Sequence, residues 1–152
     1  MSLFVVHEHH ARALHFDFRL EIEGVLKSWA IPKGPSMNPA DKRLAVLVDD
    51  HPLSYATYEG IIPAGQYGAG PVIIWDHGTF AIKKGSFNEH SLVLTLAGKQ
   101  LKGDFSLFQF KDQPKNWLLV KKADAAAIPG FKLKTLIETK KLSEQDPGCT
   151  IS

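Results

Sequence analysis

An all-β fold, mostly antiparallel and with little helix, is the class this sequence predicts, and three observations predict it. Short apolar or alternating runs recur at roughly even spacing along the 152 residues. Gly, Pro, Asn and Asp punctuate them, as they do turns between strands. No long stretch carries the periodicity of a helix. Many short, evenly spaced strands point to an antiparallel barrel or sandwich.

In order, the runs place strands at 4–8, 14–22, 25–31, 43–49, 72–75, 80–84, 91–97, 104–110 and 117–121. The clearest is LHFDFRLEI at 14–22, where Leu14, Phe16, Phe18, Leu20 and Ile22 alternate with His15, Asp17, Arg19 and Glu21. Side chains two apart share a face of a strand, so this pattern predicts one buried and one wet face. Turn signals separate the runs: EG at 23–24, PKGPSMNPADK at 32–42, PAGQYGAG at 63–70, DHG at 76–78, KG at 84–85, AGKQLKG at 97–103 and KDQPKN at 111–116. The alanine-rich ADAAAI at 123–128 suits a single helical turn, and the polar segment after Pro129 suits a last strand, a short helix or a mobile end.

Length and composition bound the function. A chain of 152 residues, 44% hydrophobic and 22% charged, is long enough for one domain with a working core. Its net charge of +2 does not argue for nucleic acid by itself; only a clustered basic surface would. The single cysteine, Cys149, excludes an internal disulfide and fits a reducing cytoplasm. No apolar run approaches ~18 residues, so no transmembrane helix is expected, and the N-terminus lacks the pattern of a signal peptide. Four of the seven histidines fall at 7, 9, 10 and 15.

Those histidines adjoin the polar face of the 14–22 strand. His15 and Asp17, roughly 6.6–7 Å apart at Cα, can lean onto one ion. Imidazole and carboxylate are good ligands for Zn²⁺, Mn²⁺ or Fe²⁺, and one of His7, His9 and His10 could supply a third. Arg19, one step along the same face, is shaped to grip a phosphate with two parallel hydrogen bonds. A metal beside a guanidinium suits a phosphate ester. Taken alone, the tripeptide pattern reads first as a solvated face with an Asp–Arg surface pair. A second cluster, VDDHPLSYATYEG, places Asp49, Asp50, His51 and Tyr55 where the chain leaves the sheet, able to reach over the first. PAGQYGAG lacks the Lys-Ser/Thr and helix of a P-loop and reads as a glycine turn. Arg12, Lys27, Lys33 and Arg43, with Trp29, Tyr58 and Tyr67, would form a modest nucleic-acid surface.

FVVHEHHARALHFDFRLEIEGVLKSWAIPKGPS, KRLAVLVDDHPLSYATYEGIIPAGQYGAGPVIIWDHGTF and WLLVKK together resemble the 3′-phosphoesterase domain of the bacterial non-homologous end-joining DNA ligase D, also known free-standing in bacteria and archaea. The resemblance runs from residue 4 to about 122, with HHARALHFDFRLE at 9–21 as its most specific part. It implies a compact β-barrel with a polar groove over residues 1–122, leaving 123–152 as a tail of unassigned role. It implies 3′-end healing in DNA repair: a 3′-terminal ribonucleotide is removed, then a 3′-phosphate, leaving a 3′-OH. It implies a divalent metal, characteristically Mn²⁺, with Zn²⁺ or Co²⁺ as alternatives. It selects His9, with His15 and Asp17, as ligands, and gives Arg19 and His51 the scissile phosphate with Tyr55 close by. Glu21, Lys33, Arg43 and Asp49 match groove or supporting positions; Arg43 and Asp49 share strand parity and could face one groove. The expected substrates are 3′ ends of DNA or of DNA–RNA primer-templates, and the expected partners are a separate ligase, polymerase and end-binding proteins around a monomer. The family's leader before the first strand is expected to be missing here. Competing expectations are a 3′-end binder with little catalysis, a hydrolase of small phosphoesters, and a cupin-like binding barrel.

Overall fold

A computed structural model describes residues 2–66 and 69–136. Nine strands follow one another: β1 (Ser2–His10), β2 (Leu14–Ile22), β3 (Val25–Ile31), β4 (Lys42–Pro52), β5 (Gly60–Ile62), β6 (Gly70–Ser86), β7 (Ser91–Ala97), β8 (Lys102–Phe110) and β9 (Gln113–Lys121). A short 3₁₀ helix, Leu53–Thr57, lies between β4 and β5. All pairings are antiparallel, in the order β1-β2-β3-β4-β9-β8-β7-β6, and β1 pairs back onto β6. Eight strands thus close a barrel, which removes its edges; β5 is an extra strand on the early part of β6. The all-β expectation is met.

The even face of β2 builds the core. Phe16, Phe18 and Leu20 point into the barrel with Phe4 and Val6 of β1, Trp29 and Ile31 of β3, and the alternating leucines of β7. Trp29 and Trp117 meet edge-on at 5.3 Å, and Phe87 stacks on Trp117 at 5.7 Å, filling one end. The EG turn behaves as its composition predicts: Glu23 and Gly24 have φ of 51° and 81°, the left-handed pair of a tight two-residue hairpin.

Two expectations are corrected. The strands expected at 72–75 and 80–84 are one strand, β6, which runs through DHG and pairs with β1 from Val72 to Phe80. DHG looks like a turn because Asp and Gly are used there for other reasons. Asp76 is buried and accepts the backbone N–H groups of Lys99, Gln100 and Leu101. A Cβ at Gly78 would sit 2.1 Å from the Ala97 carbonyl oxygen, so only glycine lets the β7–β8 turn approach. The second correction concerns Trp29, expected on a nucleic-acid surface but fully buried in the core; Tyr67 lies outside the described residues.

Packing on the barrel continues past residue 122. ADAAAI forms a turn on Asp124, whose carboxylate accepts from Ala126 N and also holds the buried Lys121 ammonium at 2.6 Å. The chain then crosses the other barrel end, where Phe131, Leu133 and Leu136 pack against the core. Trp75 Nε1 donates to the Lys134 carbonyl at 2.8 Å, and Leu136 N donates to Glu8 Oε1 at 2.6 Å. Residues 137–152, with Cys149, lie outside the described residues.

Candidate active site

Register assembles the polar face of β2. In the β1–β2 pair His9 is opposite His15 and His7 is opposite Asp17. In the β2–β3 pair Arg19 is opposite Ser28. A register shift between Leu26 and Ser28 lets β4 bring His51 opposite Leu26, onto the same side. The 3₁₀ helix then lays Tyr55 over Arg19, ring centroid 4.9 Å from Cζ. Residues from five elements meet in a cavity of about 350 Å³ lined by His9, Asp17, Arg19, Val48, Asp49, Asp50, His51, Tyr55 and Ile62.

The expected wet face is therefore not wet. Asp17 is 6% exposed and Arg19 2%, because β1, the 3₁₀ helix and the end of β4 cover them. A covered charge must be paired. Arg19 Nη2 donates to Asp17 Oδ2 at 3.1 Å, Nη1 to Ser28 Oγ at 3.0 Å, and Nε to His7 Nδ1 at 3.0 Å. Burial lowers the Arg19 pKa, but the guanidinium stays charged. Burial alone would raise the Asp17 carboxyl; hydrogen bonds from His15 and His9 and the charge of Arg19 outweigh it and hold Asp17 well below the usual carboxylate range.

One ligand atom each from His9, His15 and Asp17 lies within 4.8 Å of the others, a grouping able to share one ion. Asp17 Oδ1 is 3.2 Å from His15 Nε2, and Oδ2 is 3.7 Å from His9 Nδ1. The other His15 nitrogen, Nδ1, faces the Ala13 carbonyl at 3.4 Å and so carries hydrogen. Nε2 and a carboxylate oxygen, both electron-rich, then face each other and need a cation between them, a proton or a metal ion. The hydrogen bond to Asp17 accordingly raises the His15 pKa despite burial. This donor set of two imidazoles and a carboxylate fits Mn²⁺, Zn²⁺ or Co²⁺.

His51 Nδ1 has two contacts at 3.1 Å, one to Arg19 Nη1 and one to the Asp49 carbonyl. Arginine only donates and a carbonyl only accepts, so the two need opposite tautomers. In the first Nε2 carries the hydrogen, and in the second it carries the lone pair. Burial, then Arg19, lowers the His51 pKa, keeping the ring neutral. Burial raises the Tyr55 hydroxyl pKa, against the effect of Arg19.

The remaining sequence candidates are placed elsewhere. Asp49 lines the cavity, but the register shift in β4 breaks the simple parity linking it to Arg43. Arg43 shares the face of Ala45 and Leu47, toward the core, and its Nη2 is 3.4 Å from Asp41. Lys33 is exposed in the turn after β3. Glu21 accepts from Leu3 N at 2.9 Å and fastens the start of β1. Of the other early histidines, His10 pairs with Glu8 at 2.7 Å. Sequence offers His7 only as one of three candidates for the third ligand, yet it touches Arg19 directly. The signal was available: a hairpin that pairs 9 with 15 must pair 7 with 17.

Comparison with known proteins supports the family resemblance. Residues 7–109 match the model of the DNA Ligase D 3′-phosphoesterase domain. The chain is 48% identical over 130 residues, 82% of its length, to the multifunctional non-homologous end joining protein LigD of Pseudomonas aeruginosa. It is 49% identical over 110 residues, 71% of its length, to the multifunctional non-homologous end joining DNA repair protein LigD of Mycobacterium tuberculosis. The matched regions span 15% and 14% of those two relatives. The chain belongs to the family of DNA ligase D 3′-phosphoesterase domains.

Proposed function

We propose that the chain is a metal-dependent 3′-end-processing phosphoesterase of DNA repair, a hydrolase that removes 3′-terminal ribonucleotides and 3′-phosphates to leave 3′-OH ends. The observation that carries this reading is the convergence of His9, His15 and Asp17 beside Arg19, His51 and Tyr55 on one cavity. His9, His15 and Asp17 would hold the divalent ion, Mn²⁺ in preference to Zn²⁺ or Co²⁺. When bound, it supplies Lewis-acid polarisation of the phosphate and a lowered pKa for a water nucleophile.

The protein's own groups do the rest. Arg19 has five N–H donors, and its contacts to Asp17, Ser28, His7 and His51 occupy four. The second Nη2 hydrogen remains for a phosphate oxygen. His51, neutral and with hydrogen on Nε2, donates to a second oxygen. The Tyr55 hydroxyl, kept protonated, donates to a third or protonates the leaving oxygen. Charge gathering on the phosphoryl oxygens in the transition state is thus met by donors held in place beforehand. For the diester step, a substrate 2′-OH can both donate and accept. Asp49 lines the same cavity beside His51. Glu21 acts by fixing β1 and Lys33 acts beyond the cavity on the strand leading to the scissile phosphate, while Arg43, turned toward the core, supports the fold. Substrates would be DNA or DNA–RNA primer-template ends, met by a monomer in the cytoplasm and passed to ligase, polymerase and end-binding proteins.

The test is an end-labelled primer–template carrying a 3′-phosphate or a 3′-ribonucleotide, incubated with a panel of metals. Conversion to 3′-OH, greatest with Mn²⁺, is expected. An oligonucleotide bound but unprocessed with every metal would make the chain an end-binding module. Faster turnover of p-nitrophenyl phosphate than of the primer would make it a small-ester hydrolase.

A further inference from the structure

His7 is fully buried, sits opposite Asp17, and uses both ring nitrogens on protein atoms. Nδ1 accepts from Arg19 Nε at 3.0 Å. Nε2 lies 3.0 Å from the Tyr58 carbonyl. Arginine cannot accept and a carbonyl cannot donate, so the tautomer is dictated: Nδ1 bare, hydrogen on Nε2, ring neutral. No lone pair is left for an ion, although the ring shares a strand face with the ligands. Its edge also meets Tyr55 at 5.1 Å, and Tyr55 stacks on Tyr58 at 4.7 Å. His7 therefore joins the Nε side of Arg19 to the segment that carries both tyrosines.

We propose that His7 is the positioning residue that fixes the plane of the Arg19 guanidinium and ties it to the Tyr55–Tyr58 stack, so that the remaining Arg19 N–H is aimed at the terminal phosphate. This rests on the phosphoesterase reading of the same site. Asp17 and Ser28 restrain one edge of the guanidinium, and without His7 the Nε–H is buried and unpaired. The group then turns to find a partner, and a misaligned donor costs rate far more than it costs substrate binding. Glutamine can replace both bonds, its oxygen accepting from Arg19 and its NH₂ donating to Tyr58. Leucine can replace neither.

The experiment compares the unaltered protein, His7→Gln and His7→Leu on a 3′-phosphate oligonucleotide, with Mn²⁺ affinity measured in parallel. His7→Leu should lose about 100-fold in kcat with KM and Mn²⁺ affinity little changed, and His7→Gln should recover to within about fivefold. His7→Leu near full activity, or a folded His7→Gln as impaired as His7→Leu, overturns the proposal. Should His7→Leu not fold, ¹⁵N imidazole spectra of the unaltered protein decide: hydrogen on Nε2 alone supports it, and hydrogen on Nδ1 overturns it. If the unaltered protein does not process the oligonucleotide, the phosphoesterase reading falls. Binding of inorganic phosphate with Mn²⁺ to the three proteins, together with the same spectra, then still judges His7: weaker binding by His7→Leu, restored in His7→Gln, supports it, and equal binding overturns it.

Discussion

Asp17 and Asp76 are both buried carboxylates on strands of one barrel, and they are spent differently. Asp76 gives its oxygens to the backbone amides of Lys99, Gln100 and Leu101, which cannot move away from it. It is a clasp that fixes the β7–β8 turn on β6. Asp17 faces side chains instead: His9 from β1 and His15 and Arg19 from its own strand. Arg19 keeps an N–H group, and His15 Nε2 a lone pair, for something further. A buried acid becomes a structural staple when backbone amides satisfy it, and a chemical centre when other functional groups do.

That contrast can be broken by experiment. The largest effect is expected at Asp17. Asp17→Asn should lower activity on a 3′-phosphate oligonucleotide by about 10³-fold or more, the scale of losing a catalytic group, with the circular dichroism of the barrel retained. Asp76→Ala should do the reverse: destabilise by about 3 kcal/mol by removing the acceptor of three backbone amides, the buried one of Leu101 among them, with turnover per folded molecule unchanged. Urea unfolding and a titrated active-site assay separate the two, and a large kcat loss in folded Asp76→Ala would erase the distinction.

His7 gives a third, pH-dependent effect. Burial, then Arg19, pushes its pKa from 6.5 down to about 3. Between those values the unfolded chain binds a proton that the folded ring refuses, so stability falls as pH drops through 6.5 toward 3. The slope from this group is about 1.4 kcal/mol per pH unit. His7→Gln lacks it, so metal-free His7→Gln should lose stability less steeply between about pH 6 and pH 4; parallel urea profiles would contradict this. The smallest effect belongs to a third carboxylate, Asp50, whose 3.0 Å pair with Lys27 is half in solvent. Asp50→Ala should cost less than about 1 kcal/mol, read as a small shift of the urea midpoint.

Much of this was legible in the sequence because it is periodic. The alternation at 14–22 fixed which residues share a face, and the His-x-Asp-x-Arg spacing gathered an imidazole, a carboxylate and a guanidinium onto it. What escaped depends on pairing between distant segments. DHG reads locally as a turn, yet Asp76 and Gly78 answer to the 98–101 turn packed beside them. β5 is three residues long, with no pattern to detect. Tyr55 needed a 3₁₀ helix to reach Arg19, and Trp29 was drawn to the surface by its proximity in sequence to lysines. The face read as wet is covered because the 3₁₀ helix lies over it and side chains of β1 and the end of β4 crowd in from the neighbouring strands, which no alternation within β2 can reveal.

His9, His15 and Asp17 are proposed to hold one divalent ion. Calorimetric titration of Mn²⁺ into the unaltered protein, Asp17→Asn and Asp76→Ala tests it most directly. One tight site in the unaltered protein and in Asp76→Ala, lost in Asp17→Asn, is the predicted result. Undiminished Mn²⁺ binding by Asp17→Asn would contradict it.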